Sequence, residues 1–290
     1  MKLGVLGSSS SWYFQDLQRA AAAQNVKAVA VPFTSLSAGL GAMTPWFRAE
    51  EESSLLDFDA MLVRSMPPGS LEQIVFRMNA LHRLESAGVR VVNPARTLEI
   101  AIDKYLTSAL LAEVGLATPD TIVCQTVDDA MQAFHELGKD AVVKPLFGSE
   151  GRGITRITEE AVAWRICKAL VGIQAVLYLQ RFIPNPGFDF RLLLVGNKLF
   201  GVRRQTHGDW RTNVSLGARV ESLEITTQLE QIARKSQDAA QAPIVAVDVL
   251  PGDDGVLYVL EVNAVPGWRG LAKCLQVDIA AEVVSYAMQG

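Results

Sequence analysis

Cysteine, histidine and aromatic side chains are all scarce in this chain. Three cysteines among 290 residues, Cys124, Cys167 and Cys274, lie far apart in apolar stretches. They supply neither a disulfide framework nor a paired metal-ligand spacing, and the compartment expected is a reducing cytoplasm. Three histidines, His82, His135 and His207, are too scattered to suggest a Cys–His or Ser–His nucleophilic pair. Basic residues are not in excess: 27 lysines and arginines stand against 31 acids, a net charge of −4, so no nucleic-acid partner is expected. No apolar run approaches the roughly 18 residues of a membrane span, and no membrane partner is expected either. Residues 1–7 are too short an apolar core for a signal peptide and read as a first strand. No G-x-G-x-x-G follows that strand, which removes the dinucleotide fingerprint.

What is present is apolar surface. At 49% hydrophobic residues the chain can bury enough to offset its ordering entropy, and about 150 residues per domain suggests two domains. Residues 3–6, 26–31, 60–64 and 89–92 read as strands, with helices at 13–24 and 71–86 between them. That alternation predicts an α/β, Rossmann-like domain over residues 1–93. Residues 32–57 carry many small residues and weak periodicity and are expected to be irregular. Asn93-Pro94 marks the boundary to an α+β remainder, 94–290. There, helices are expected at 97–102, 103–114 and 127–137, and strands at 121–124 and 141–143. Antiparallel strands follow at 176–182, 191–195 and 198–203, then a helix near 226–240 and strands at 244–250 and 256–262.

Those last two strands each hold an acid among apolar neighbours, Asp248 and Glu261, and a buried carboxylate is costly unless a cation or donor answers it. Alternation puts Glu261 and Asn263 on one face, and a hairpin through 251–255 would set Asp248 opposite Glu261 as a cross-strand pair. Two carboxylates and an amide oxygen suit Mg²⁺; solvated outer-face residues of an edge hairpin are the competing reading. Upstream, Lys144 ends an apolar strand and is followed by the glycine-rich stretch Gly148-Ser149-Glu150-Gly151-Arg152-Gly153. Glycines let backbone N–H groups approach phosphate, although a Walker A motif would put its lysine after them. Lys104 opens a helix, where the dipole disfavours a cation, and is expected to face an anion. Arg191, Arg203, Arg204 and Arg211 sit among apolar residues, as forks for phosphate or carboxylate or as partners of the acids.

The order of these features resembles the ATP-grasp superfamily and, within it, the RimK-type α-L-glutamate ligases. The stretches that carry the resemblance are Asp103-Lys104, Val143-Lys144-Pro145 with its glycine-rich loop, and Gln180-Arg181-Phe182-Ile183. They continue through Asp189-Phe190-Arg191, Val202-Arg203-Arg204, Gly208-Asp209-Trp210-Arg211-Thr212-Asn213, Val247-Asp248, and Glu261-Val262-Asn263 running on to Pro266-Gly267. The resemblance implies a pre-ATP-grasp domain, residues 1–93. It is followed by a two-lobed ATP-grasp domain, with a central lobe of about 94–183 and a C-terminal lobe of about 184–290. It implies an ATP- and Mg²⁺-dependent carboxylate–amine ligase, with Mn²⁺ as an alternative ion, that forms an amide through an acyl phosphate. The substrates implied are ATP, a peptide or small-molecule carboxylate and an amino acid such as glutamate; a homo-oligomer is left open.

Carried over residue by residue, Lys104 and Lys144 would contact phosphates under a loop containing Gly148, Ser149, Gly151 and Gly153. Gln180, Arg181, Phe182 and Ile183 would form the adenine hinge, and Asp189 would approach the ribose. Arg211, Thr212 and Asn213 would lie near the triphosphate, Asp248, Glu261 and Asn263 would hold the metal, and Arg203 with Arg191 would stabilise charge in catalysis. The hinge departs from the family's usual Gln-Glu-Phe/Tyr in having Arg181. That departure motivates the alternative of a non-catalytic nucleotide-binding regulatory or partner subunit.

Overall fold

The computed structural model describes residues 1–41, 45–50, 52–148, 153–206, 210–211 and 218–289. The chain opens with β1 (Lys2–Leu6), α1 (Trp12–Ala23) and β2 (Lys27–Val31), then β3 (Leu36–Gly39), β4 (Trp46–Ala49), β5 (Ala60–Val63), α2 (Leu71–Ser86) and β6 (Arg90–Val92). Serines start both helices: the Ser11 hydroxyl accepts from the Phe14 N–H, and Ser70 with Gln73 closes a capping box. The strands β2-β1-β5-β6 form a parallel sheet. Its central strand β5 is buried along its whole length, as expected of a sheet covered on both faces. Residues 32–57 are not irregular throughout, because β3 and β4 pair as an antiparallel hairpin. Phe47 and Ala49 fix it to the core on alternate positions, a short period-2 signal diluted by the small residues around it.

Two antiparallel sheets follow. The elements α3 (Ala95–Ile102), α4 (Lys104–Glu113), β7 (Thr121–Cys124), α5 (Val127–Glu136), β8 (Ala141–Lys144), β9 (Thr155–Ile157), α6 (Glu160–Gly172) and β10 (Leu177–Arg181) come first. Their strands make a sheet of order β7-β10-β8-β9, so after residue 94 antiparallel pairing begins at β7, earlier than the sequence suggested. Next are β11 (Phe188–Val195), β12 (Lys198–Gln205), β13 (Arg219–Ser222), α7 (Thr227–Ala239), β14 (Ile244–Pro251), β15 (Leu257–Asn263), α8 (Arg269–Leu275) and α9 (Ile279–Met288). They give a five-stranded sheet ordered β13-β12-β11-β14-β15. The β11–β12 turn needs Gly196, whose φ of 56° is strained for other residues. Among the described residues no helix is long and apolar enough to cross a membrane.

The cores cross the divisions suggested by the sequence. Ile100 of α3 and Leu111 of α4 pack with Val245, Val247 and α7 on the five-stranded sheet, not with the four-stranded sheet of the expected central lobe. Leu3, Val5 and Leu17 of the parallel-sheet region share a core with Leu193, Trp268, Ile279 and Val283. Asn93 ties the same parts together. Its amide donates to the Ile244 and Ala264 carbonyls, both at 2.6 Å, and its oxygen accepts from the Ile244 N–H at 2.9 Å.

Candidate active site

A cleft between the two antiparallel sheets collects the charged residues of both. From the four-stranded side come Lys144 and Gln180; from the five-stranded side come Asp189, Arg204, Asp248 and Glu261. The strand register explains the second set. Asp189 pairs with Arg204, Arg191 with Asp248, and Asp248 with Glu261, so these side chains emerge on one face of the sheet. Between Asp248 and Val249 the β14–β15 register slips, leaving Leu260 as the extra residue of a bulge. Leu260 and its neighbour Glu261 both line the cleft as a result, the re-aiming that bulges provide beside functional sites.

The charges form an ordered network. Arg204, buried, grips Asp189 through Nε at 2.8 Å and through Nη2, and its Nη2 also reaches Asp248 at 2.9 Å. Arg191 Nη1 donates to the same Asp248 carboxylate at 3.1 Å. Burial works to raise Asp248, but Arg191 and Arg204 prevail and hold it below the ordinary carboxylate range. Burial would lower Arg204, and the two carboxylates raise it instead. Glu261 has no such partner: among the described residues none donates a hydrogen bond to it. Burial first and the facing Asp248 second push its carboxyl upward, against the opposing fields of Lys104, Lys144 and Arg191. A carboxylate left in that position calls for a cation.

Lysines face it from the other side. Lys144 Nζ donates to Gln180 Oε1 at 2.6 Å, and Gln180 is in turn held by Thr121 Oγ1 at 3.0 Å. Burial pushes the Lys144 ammonium down to about 8, with Glu261 opposing and Lys104 adding to the shift. Asp103 caps α4, accepting from the Tyr105 and Leu106 N–H groups, and so fixes Lys104 in the first turn. Lys104 Nζ donates to the Gly148 carbonyl at 2.9 Å, and burial lowers it too.

Two carboxylates and the Asn263 amide are hard oxygen donors of the kind a divalent cation takes. Asn263 Oδ1 accepts from the Val265 N–H at 2.8 Å and keeps a further lone pair. Among the described residues no three His, Cys, Asp or Glu side chains converge, and a Mg²⁺ shared with nucleotide phosphates needs only one or two carboxylates.

Residues 101–287 match the RimK-like ATP-grasp domain. Over 99% of its length the chain is 30% identical to the tetrahydromethanopterin:α-L-glutamate ligase of Methanococcus maripaludis, covering 98% of that protein. The chain belongs to the RimK-like ATP-grasp family. It is an ATP-dependent ligase that forms carbon–nitrogen bonds. This ligase is also 30% identical, over 70% of its length and 74% of the relative's, to a glutamate–LysW ligase of Sulfolobus acidocaldarius. Its fold matches that of the ATP-grasp ligase PsnB, complexed with a phosphomimetic variant of its minimal precursor, Mg and ADP. The TM-score is 0.74 at 19% identity, covering 99% of this chain and 97% of that one.

Several site residues of this ligase stand differently from the sequence expectation. Arg203 requires correction. Alternation along β12 turns it to the face opposite Arg204, where its guanidinium lies over Phe188 at 3.7 Å; Arg204 is the cleft arginine. Sequence could not choose between two adjacent arginines until register was known. Asp189, expected at a ribose, is buried in its pair with Arg204. Lys104 reaches backbone carbonyls as well as the field of Glu261. Arg181 pairs with Asp120 at 2.6 Å, while the Arg181 and Phe182 N–H groups are occupied by the Asp120 and Asp140 carbonyls. Phe182, Ile183 and Arg211 line the cleft. Gly148 and Gly153 are described; Ser149, Gly151, Thr212 and Asn213 lie outside the described residues. Trp210, not singled out from the sequence, also lines the cleft, edge-on to Phe182 at 5.8 Å. Its position beside Arg211 in the family stretch was the available signal.

Proposed function

We propose that this ligase joins the amino group of glutamate, or a closely similar amino acid, to a carboxylate of a peptide or small cofactor in the cytoplasm. The observation that carries this reading is the opposition of Asp248 and Glu261 on a sheet face that meets Lys144 across the cleft. A carboxylate is a poor electrophile, and phosphorylation by ATP makes it an acyl phosphate that an amine can attack. Asp248, Glu261 and Asn263 would hold Mg²⁺, with Mn²⁺ as a substitute. The ion would neutralise charge developing on the phosphates. Lys104 and Lys144 would supply positive charge to those phosphates, and the glycine-rich loop of Gly148, Ser149, Gly151 and Gly153 would be their backbone cover by the family resemblance. Gln180 to Ile183 would form the wall for adenine, and Arg211, Thr212 and Asn213 would be the triphosphate contacts that the family resemblance implies. Arg191 stabilises negative charge at the reacting carbonyl, a preorganised cation in a site shielded from water. Arg204 holds Asp248 ionised and oriented.

The relatives named above act with glutamate, which supports the choice of amino acid. The division into a first domain of 1–93 and an ATP-grasp domain of 94–290 belongs to the same proposal. Arg181 pairs with Asp120 beside the hinge, and retention of both Asp248 and Glu261 favours a ligase that turns over above a non-catalytic subunit.

Turnover tests the reading directly. Purified protein with ATP, Mg²⁺, L-glutamate and a panel of carboxylic acids is expected to release ADP and phosphate with one acid, and mass spectrometry to show its amide. Normal nucleotide binding without ADP release from any pairing overturns it. The Lys144 assignment has its own test, because only the ammonium form attracts phosphate. Nucleotide affinity is expected to fall as pH rises through about 8, the value to which burial brings Lys144. The slope approaches about one decade per pH unit, and Lys144→Arg, which stays charged, flattens it. A flat wild-type profile from about pH 7 to 9 refutes the assignment.

A further inference from the structure

The carboxyl edge of the parallel sheet holds a cation that the ligase reading leaves without a task. In the order β2-β1-β5-β6 the chain departs from β1 on one side and returns at β5 on the other. The crevice beyond the carboxyl ends of β1 and β5 is therefore a topological switch point, where open α/β sheets take ligands. Arg64 follows directly on β5 at that point. Its guanidinium lies over Tyr13 at 4.9 Å and over Trp268 at 4.4 Å, and Nη2 donates to the Pro266 carbonyl at 2.9 Å. Its Nε is buried with no acceptor.

Arg191 and Arg204 each have a carboxylate partner; among the described residues Arg64 has none. Burial pushes its guanidinium down to about 10, with only Tyr13 opposing. A desolvated cation without a counter-charge is costly, and here two rings and a carbonyl hold it in one orientation. The residue as a whole is only partly buried. A second guanidinium stands on the same stack. Arg269, exposed at the start of α8, lies over Trp12 at 5.2 Å. Trp12 meets Tyr13 at 5.1 Å and Tyr13 meets Trp268 at 5.0 Å, both edge-on. Aromatic faces thus fix two planar forks in advance, which lowers the entropy lost when a carboxylate binds them.

We propose that Arg64 and Arg269, fixed on the Trp12–Tyr13–Trp268 stack, form a carboxylate-binding subsite for the acidic substrate of this ligase. The proposal rests on the ligase reading and extends it to substrate recognition. Pro266, which accepts from Arg64, follows closely on Asn263 in the chain. A carboxylate seated there lies beside the segment that leaves β15. It belongs either to the amino acid being joined or to an acidic tail on its acceptor.

Calorimetric titration in the presence of Mg²⁺ and ADP separates these sources, with L-glutamate and a triglutamate peptide as probes. Wild type is expected to bind at least one probe: L-glutamate if the subsite takes the amino acid, the peptide alone if it takes the acceptor. Arg64→Met and Arg269→Met are each expected to weaken that probe about tenfold or more, as for the loss of a charge-assisted bond, with ADP affinity unchanged. Arg269 is exposed, so its variant keeps the test valid if Arg64→Met fails to fold. The proposal is overturned if both variants bind the probe as tightly as wild type, or if wild type binds Mg²⁺ and ADP but neither probe. Failure to bind Mg²⁺ and ADP at all would instead remove the ligase reading.

Discussion

Glu261→Gln is expected to lower kcat about a thousandfold, because the loss of several kcal/mol of metal-mediated charge stabilisation corresponds to roughly that factor. The substitution preserves shape and removes one charge from the Asp248–Glu261 pair. Its effect should divide unevenly. Metal-free ADP binding is expected to change less than about tenfold, since the cleft walls around Gln180 and Trp210 remain. Mg²⁺-dependent enhancement of that binding should disappear. Folding should not suffer, because Glu261 is held up by burial and by Asp248 and receives no hydrogen bond among the described residues. Single-turnover kinetics, ADP titration with and without Mg²⁺, and a melting curve measure the three parts. Turnover within about tenfold of wild type would remove Glu261 from the metal site and the proposed chemistry with it.

Arg204→Met is expected to cost about 3–5 kcal/mol of stability, the range for stranding a buried charge whose partner has been removed. Arg204 is only 4% exposed and joins Asp189 to Asp248. Methionine of similar volume fills the space but leaves two buried carboxylates, one of them still answered by Arg191. The pH dependence carries the diagnosis. In wild type Asp248 is held below its unfolded value, so its stabilisation is present at neutral pH and is lost as pH falls through the folded value. In the variant a carboxylate whose folded pKa is raised gains stability on protonation, so the deficit should shrink as pH falls toward about 5. Urea denaturation at two pH values tests this. A deficit below about 1 kcal/mol at pH 7 would mean that Arg204 behaves as a surface ion pair.

The Asp248–Glu261 pair was legible before any coordinates because β-strand geometry is periodic and local. Acids embedded in apolar strands, joined by a short hairpin, leave few registers, and only one places both carboxylates together. The same period could not rank Arg203 against Arg204. Adjacent strand residues point to opposite faces, and which face holds the cleft depends on pairing with β11 and β13. Alternation was also too brief to reveal the β3–β4 hairpin within small residues. The packing of residues 95–113 is hidden from the sequence for a related reason. An amphipathic helix announces that it has an apolar face, not which sheet will cover it, and here α7 and the five-stranded sheet do.

By itself, then, the sequence determined the alternation of elements and the acids that meet across the last two strands. These depend on residue type and on spacings of a few positions. Tertiary structure alone decided which arginine enters the cleft, how the parallel sheet shares a core with the last helices, and that Arg64 and Arg269 stand on one aromatic stack. Each of these joins residues far apart in the chain, and such contacts are set by the packing of whole faces, about which a local pattern carries no information.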